Sequence, residues 1–177
     1  IGSVTEGADA ELAAAAEAER IPLLATISTH PRSSDAPNRW LRDLVAGVAE
    51  QRRALARVAP HDAMQVPSSE LTPALIDEAQ RTARPLYVAL PLDPRPPTLH
   101  PAHAAALASA ALFFAALERV GSDLTREKLL DAIDTFNHLE TGYAPPLTYT
   151  ATRHLGSTGS FVVNLSDKGA PVVWVDP

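Results

Sequence analysis

Cysteine is absent from the 177-residue sequence, and this absence removes several kinds of site at once. Disulfide bonds, thiolate metal centres, cysteine nucleophiles and a covalently attached c-type haem are all excluded. Aromatic residues are also scarce, at 5% of the chain, so alanine supplies much of the apolar surface. Such a composition predicts closely packed helices.

An excess of basic charge is missing as well. The formal net charge of -6 argues against nucleic acid as the main partner. No run of about 18 apolar residues occurs, so the sequence predicts no membrane insertion. Its 46% hydrophobic and 20% charged residues are typical of a soluble globular protein, and its length suffices for one domain with a real core.

Catalytic and metal-binding patterns are weak. The chain has no Gly-x-Ser-x-Gly elbow and no carboxylate pair isolated in an apolar setting. His100 and His103 have a spacing that can place two metal ligands on one helix face, but no carboxylate or third histidine lies nearby in the sequence. The Ser/Gly stretch at 157–160 is typical of a plain turn between strands. We therefore expect no enzyme, no metal and no cofactor.

The first 25 residues have the pattern of a strand, a helix and a second strand, at 1–5, 8–20 and 21–25. Such a unit normally makes a parallel strand pair with a right-handed crossover. Further helices are predicted at 38–58, 73–83, 102–120 and from Thr125, and further strands at 63–66, 86–90, 147–150, 160–165 and 170–175.

Three helix boundaries carry specific signals. Thr72 and Thr125 are predicted N-caps, and Pro73 occupies a first helical position. Gly121 is predicted to end the helix at 102–120. That helix is apolar on more than one side, with Leu107 and Phe114 on one face, so we expect it to be buried on two sides.

Polar residues follow two strands at the places where parallel sheets bind ligands, outside the carboxyl ends of their strands. The first segment is Thr5, Glu6 and Gly7, and the second contains Ser28 and Thr29. Backbone N–H groups at a helix N-terminus, together with hydroxyl groups, suit an anion such as a carboxylate. The alternative is that these hydroxyls only cap their own loop. Glu6 would repel an anion unless its side chain points away.

The C-terminal run at 124–176 has a specific order of short motifs. They are the LTREKL run at 124–129, Phe136, Thr141-Gly142, the PLTY run at 146–149 and Trp174. Their order and spacing resemble the closing segment of the type I periplasmic binding proteins, the receptors of branched-chain amino-acid transporters. The resemblance covers residues 1 to about 58 and about 86 to 176.

This resemblance implies an α/β fold, a parallel-rich sheet flanked by helices with a C-terminal antiparallel hairpin. Residues 1–177 would form a single lobe, with an irregular region at 59–85 where the family's second lobe is expected. It also implies a non-catalytic periplasmic subunit that binds a small polar solute, such as an amino acid, for an ABC transporter permease. The family's ligand contacts fall on the segments of Thr5–Gly7 and Ser28–Thr29.

A single lobe also permits a different role. One lobe without its partner lobe buries a ligand poorly, so the chain could serve as an accessory or docking subunit of a periplasmic complex. A redox subunit such as a c-type cytochrome is then the expected protein partner. A small α/β enzyme is the third interpretation, and the missing acid/base constellation disfavours it.

Overall fold

The computed structural model describes residues 2, 7–30, 38–95, 100–167 and 169–176, which form a mixed α/β fold with two small sheets. The described helices are α1 (Asp9–Glu19), α2 (Val48–Val58), α3 (Pro73–Thr82), α4 (Pro101–Val120) and α5 (Arg126–Ile133), with a 3-10 turn at Ser68–Glu70. The described strands are β1 (Leu23–Thr26), β2 (Leu41–Asp43), β3 (Met64–Pro67), β4 (Leu86–Leu90), β5 (Ser160–Asn164) and β6 (Val173–Val175).

The first sheet consists of β1 and β2, which run parallel with Leu23 opposite Leu41. The backbone N–H of Gly2 donates to the carbonyl of Leu24 over 2.9 Å. Apart from Gly2, the predicted strand over 1–5 lies outside the described residues. The predicted helix over 8–20 and strand over 21–25 correspond to α1 and β1.

The helix predicted over 38–58 is wrong in its first half, because β2 lies there and α2 begins only at Val48. Every residue from 40 to 48 is buried. A strand buried on both faces has no polar alternation, and its apolar positions can fit helical spacing as well. The amphipathic pattern therefore located α2 but extended it over a strand.

The second sheet has the order β3-β4-β5-β6. β3 and β4 are parallel, whereas β4–β5 and β5–β6 are antiparallel, so the predicted C-terminal hairpin is confirmed. The predicted parallel-rich sheet is wrong, because the described strands form two small sheets with two parallel and two antiparallel pairings. The region 59–85 contributes β3, the 3-10 turn and α3 to this unit. The strand predicted at 147–150 is wrong: Leu147 and Thr150 make only isolated bridges, with Leu139 and Arg153.

The hairpin carries one of the two tryptophans, and their surroundings differ. The Trp174 ring packs against Phe161, with ring centroids 4.7 Å apart, and it also lies directly on the backbone of Gly159. A Cβ at position 159 would collide with the Trp174 ring, so only glycine fits there. Trp174 is 40% exposed, whereas Trp40 is 5% exposed beside the first sheet.

The predicted helix boundaries are confirmed. Thr72 and Thr125 each accept a hydrogen bond from a backbone N–H in the first turn that follows, and Pro73 begins α3. Gly121 ends α4 with a positive φ of 69°, a conformation that costs glycine little. Local capping chemistry therefore sets these ends, as the sequence indicated.

Small residues of α4 pack into the main core. Its buried residues are Ala104, Ala105, Ala108, Ser109, Leu112 and Ala116. Leu107 and Phe114 are 41% and 62% exposed, so the expectation of burial on two sides is wrong. Apolar periodicity shows which positions could be covered but not what covers them. By length and composition α4 is also the one helix in the described part of the chain that could cross a membrane, and 33% of its most apolar window is buried here.

A buried ion pair joins β2 to the end of α5. Arg42 is 2% exposed, and its Nε and Nη2 atoms donate to the two carboxylate oxygens of Asp134, each over 2.7 Å. Its Nη1 atom donates to the carbonyls of Arg39 and Leu41 and lies 3.0 Å from His154 Nδ1. Burial, followed by the charge of Arg42, lowers the pKa of His154. All three nitrogen atoms of the guanidinium thus have partners.

Arg42→Ala is expected to lower the free energy of unfolding by about 3–5 kcal/mol, because it leaves the Asp134 carboxylate without its partner. Urea denaturation followed by circular dichroism measures this loss. Arg81→Ala, on the exposed side of α3, is the matched control and should change stability by less than about 0.5 kcal/mol. Equal losses in the two variants would contradict a stabilising role for the pair.

Candidate functional site

A cavity of about 540 Å³ opens where the carboxyl ends of β1 and β2 meet the start of α2. Ser28 and Thr29 line it from the end of β1, and Val48 and Gln51 line it from α2. Ser68 closes another side, and its backbone N–H and hydroxyl both donate to the side-chain amide oxygen of Gln51, Oε1. Elements from both sheets therefore contribute to one cavity.

Three of the five predicted ligand-binding residues line this cavity together: Gly7, Ser28 and Thr29. The other two, Thr5 and Glu6, lie outside the described residues. The first predicted segment therefore reaches this cavity through Gly7, which precedes α1, and the second reaches it through Ser28 and Thr29.

A second cavity, of about 290 Å³, adjoins the first and shares Gly7 and Ser28 with it. It is also lined by Asp9, in the first turn of α1, and by His30. The half-buried Asp9 carboxylate accepts hydrogen bonds from the backbone N–H groups of Thr29 and His30, each over 3.2 Å. The loop after β1 is therefore held against the start of α1.

The buried carboxylate of Asp43 lies behind Ser28. The hydroxyls of Thr26 and Ser28 both donate to its Oδ1 atom over 2.5 Å. Asp43 ends β2 and is 3% exposed. The Ser28 hydroxyl therefore bonds a side chain from the neighbouring strand, and the alternative that it only caps its own loop is wrong.

The pKa of Asp43 depends on its burial and on two neighbouring acids. Burial raises the pKa of Asp43, the hydroxyls of Ser28 and Thr26 oppose that rise, and the charges of Asp9 and Glu50 add to it. Glu50 is fully buried in the first turn of α2, where its Oε1 accepts from Arg53 over 2.7 Å. Its Oε2 atom has no hydrogen-bond partner among the described residues. Asp9 and Glu50 are therefore close enough to Asp43 for their charges to act on it.

Ser28, His30 and Asp9 line one cavity, and these are the residue types of a hydrolytic triad. Nucleophile activation requires a hydrogen bond from the serine to the histidine. Ser28 instead directs its proton to Asp43, which Thr26 already shares. The His30 Nδ1 atom lies 3.8 Å from the Asp9 carboxylate. This arrangement presents polar atoms for binding rather than an activated nucleophile.

The histidine pair at the start of α4 has a local structural role. The ring centroids of His100 and His103 lie 5.8 Å apart, and His100 Nδ1 accepts from the backbone N–H of Ala102 as an N-cap. Within the described ranges, no group of three or more His, Asp or Glu side chains could hold a metal ion.

Sequence reasoning assigned neither Asp43 nor Asp9 to the site. A weak signal for Asp43 existed, since it directly precedes the apolar run at 44–46 and a charged residue that is buried needs partners. Its partners lie 15 and 17 residues away, and those of Asp9 lie 20 and 21 residues away, so local spacing could not reveal either cluster.

No match to this chain was found among protein-family models, curated proteins or solved structures. The resemblance to type I periplasmic binding proteins therefore remains a prediction from motif order. The contacts of the cavity residues carry the functional inference.

Asp43→Asn is expected to be more stable than the native protein near pH 7, and this advantage should shrink as the pH falls toward 4. The folded protein holds the Asp43 proton above its usual pKa of 3.8, so the folded state binds more protons than the unfolded state in this range. Stability from this group is therefore lost as the pH rises through the raised pKa. Asparagine keeps an oxygen that can accept from Thr26 and Ser28.

Urea unfolding at a series of pH values measures this difference. Asp62→Asn removes the same charge from an exposed position and controls for net charge. A stability difference that does not change with pH, or that Asp62→Asn reproduces, would contradict the assignment to Asp43.

Proposed function

We propose that this chain is a non-catalytic periplasmic subunit that binds a small polar solute, such as an amino acid, for an ABC transporter. One observation carries the proposal: Gly7, Ser28 and Thr29 line a single cavity at the carboxyl ends of the parallel strands β1 and β2. Ligands in open α/β sheets bind at this end of the strands.

The size and lining of the cavity support the same function. Small-molecule sites are typically about 300–1,000 Å³, mostly apolar with a few polar groups that orient the ligand. The cavity of about 540 Å³ lies in this range. Its apolar side includes Ile27, Val48 and Pro91, and its polar side includes Ser28, Thr29 and Ser69.

Solute binding would be linked to the relative position of the two sheets. Ile27 and Thr29 follow β1 of the first sheet, whereas Ser69 and Pro91 follow β3 and β4 of the second. A solute that contacts both sides stabilises whichever arrangement brings them together, by its differential affinity. Retention without chemistry is then the expected activity.

Thr29→Ala is expected to abolish solute-induced thermal stabilisation without unfolding the protein. The measurement is a thermal shift assay with amino acids and other small polar solutes. A solute at 100 times its dissociation constant stabilises the folded state by about 2.7 kcal/mol, enough for a clear rise in Tm. Thr29 lines the cavity and is only partly buried, so its substitution should leave the core intact.

Thr82→Ala is the matched control, because Thr82 is an exposed threonine at the end of α3, away from the cavity. This variant should keep the full solute response. A response that survives unchanged in Thr29→Ala would refute the site assignment. Absence of a response to every solute in the native protein would refute the function.

The second candidate function is an accessory docking subunit of a periplasmic complex, and the exposed apolar residues of α4 favour it. Leu107 and Phe114 present side chains that a protein partner, such as a permease or redox subunit, could cover. For this function, Phe114→Ser should reduce co-purification with a defined partner while leaving Tm unchanged. No solute should then shift the Tm of the native protein.

A further inference from the structure

We infer that Asp9 determines the charge class of the solute, so that the site accepts a protonated amine at Ser28 and Asp9 and excludes a free acid group there. This inference rests on the proposed function, since it assigns a solute class to the same pair of cavities. It reverses the expectation, drawn from the sequence, that this position suits a carboxylate.

The backbone donors that would hold an acid group already have a partner. The N–H groups of Thr29 and His30 donate to the two carboxylate oxygens of Asp9. The neighbouring N–H of Val48, at the start of α2, donates to the carbonyl of Thr29 over 2.9 Å. Asp9 thus occupies the position in which a solute carboxylate would meet these two N–H groups of the loop after β1.

The Ser28 hydroxyl is committed in the same way. A hydroxyl has one proton to donate, and Ser28 gives it to Asp43 Oδ1. The remaining lone pairs of Ser28 can only accept a hydrogen bond. Toward the cavities, Ser28 can therefore only accept a hydrogen bond, and the Asp9 carboxylate that lines the second cavity is an acceptor as well.

Charge favours the same class of solute. The described lining of the two cavities contains no lysine or arginine, and its one histidine, His30, has its Nδ1 atom 3.8 Å from the Asp9 carboxylate. Asp9 lies at the surface of one cavity, and the buried Asp43 bonds Ser28 behind it. An acid group would add a like charge near groups that are poorly solvated, which is costly. A protonated amine carries three donors and no acceptor, and it matches both the charge and the hydrogen-bonding pattern.

Three small probes separate the classes: ethanolamine, ethylene glycol and glycolate, which share a hydroxymethyl group and carry an amine, a hydroxyl or an acid group at the other end. At matched ionic strength and neutral pH, ethanolamine should raise the Tm of the native protein, and glycolate should not. Ethylene glycol, the neutral probe, should raise Tm less than ethanolamine does. Titration calorimetry then gives the dissociation constants.

Asp9→Ala is the decisive variant, because it frees the N–H groups of Thr29 and His30 and removes the charge. Affinity for ethanolamine should fall by about tenfold or more, and glycolate should now raise Tm. Glu11→Ala removes an acid from the same first turn of α1 at an exposed position, and it should keep the preference for ethanolamine. If Asp9→Ala does not fold, Asp9→Asn removes the charge and should also lose that preference.

Three results would overturn the inference. The first is stabilisation of the native protein by glycolate as large as that by ethanolamine, lost in Thr29→Ala; this leaves the proposed function intact. The second is an unchanged preference for ethanolamine in the Asp9 variants. The third is the absence of any response to these probes or to the wider solute panel, which would refute the proposed function as well.

Discussion

Asp43 is the residue through which the first sheet, the cavity and the loop after α5 are joined. Its side chain binds two hydroxyls at the end of β1, and its N–H donates to the carbonyl of His154 over 2.8 Å. Its carbonyl accepts from the N–H of Gly156 and the hydroxyl of Tyr149. A side chain at position 156 would collide with Tyr149, so glycine is required for this convergence. Burial raises the pKa of Tyr149 and keeps its hydroxyl available as a donor.

The buried Asp43 carboxylate lowers stability, and it also fixes the polar groups at the cavity wall. A carboxylate in a buried position opposes folding near neutral pH, and the hydroxyls of Thr26 and Ser28 offset part of that cost. The same two bonds fix the orientation of Ser28 at the cavity wall. Functional sites commonly keep such unfavourable groups while the surrounding structure supplies the compensation. The Arg42–Asp134 pair, next along β2, is a part of that surrounding structure.

The sequence predicted best what local chemistry decides. The boundaries at Thr72, Thr125 and Gly121 follow from capping, and β4, β5 and β6 follow from short apolar runs between turns. β2 was missed because a short strand buried on both faces has no diagnostic period. Gly7, Ser28 and Thr29 were found from strand ends and motif order, but the hydrogen-bond partners of the site were not. Those partners belong to α1 and β2, and only the tertiary fold brings them to the loop.

The unequal burial of the two tryptophans gives each sheet its own optical reporter. Trp40 is enclosed beside β1 and β2, and Trp174 lies partly in solvent on the β5–β6 hairpin, against Gly159. Their emission should differ in wavelength, with the enclosed indole at the blue end. Proteins that retain a single indole therefore report on one sheet at a time. Coincident denaturation curves from the two would mean that both sheets melt as one cooperative unit, and separate curves would mean that each has its own transition.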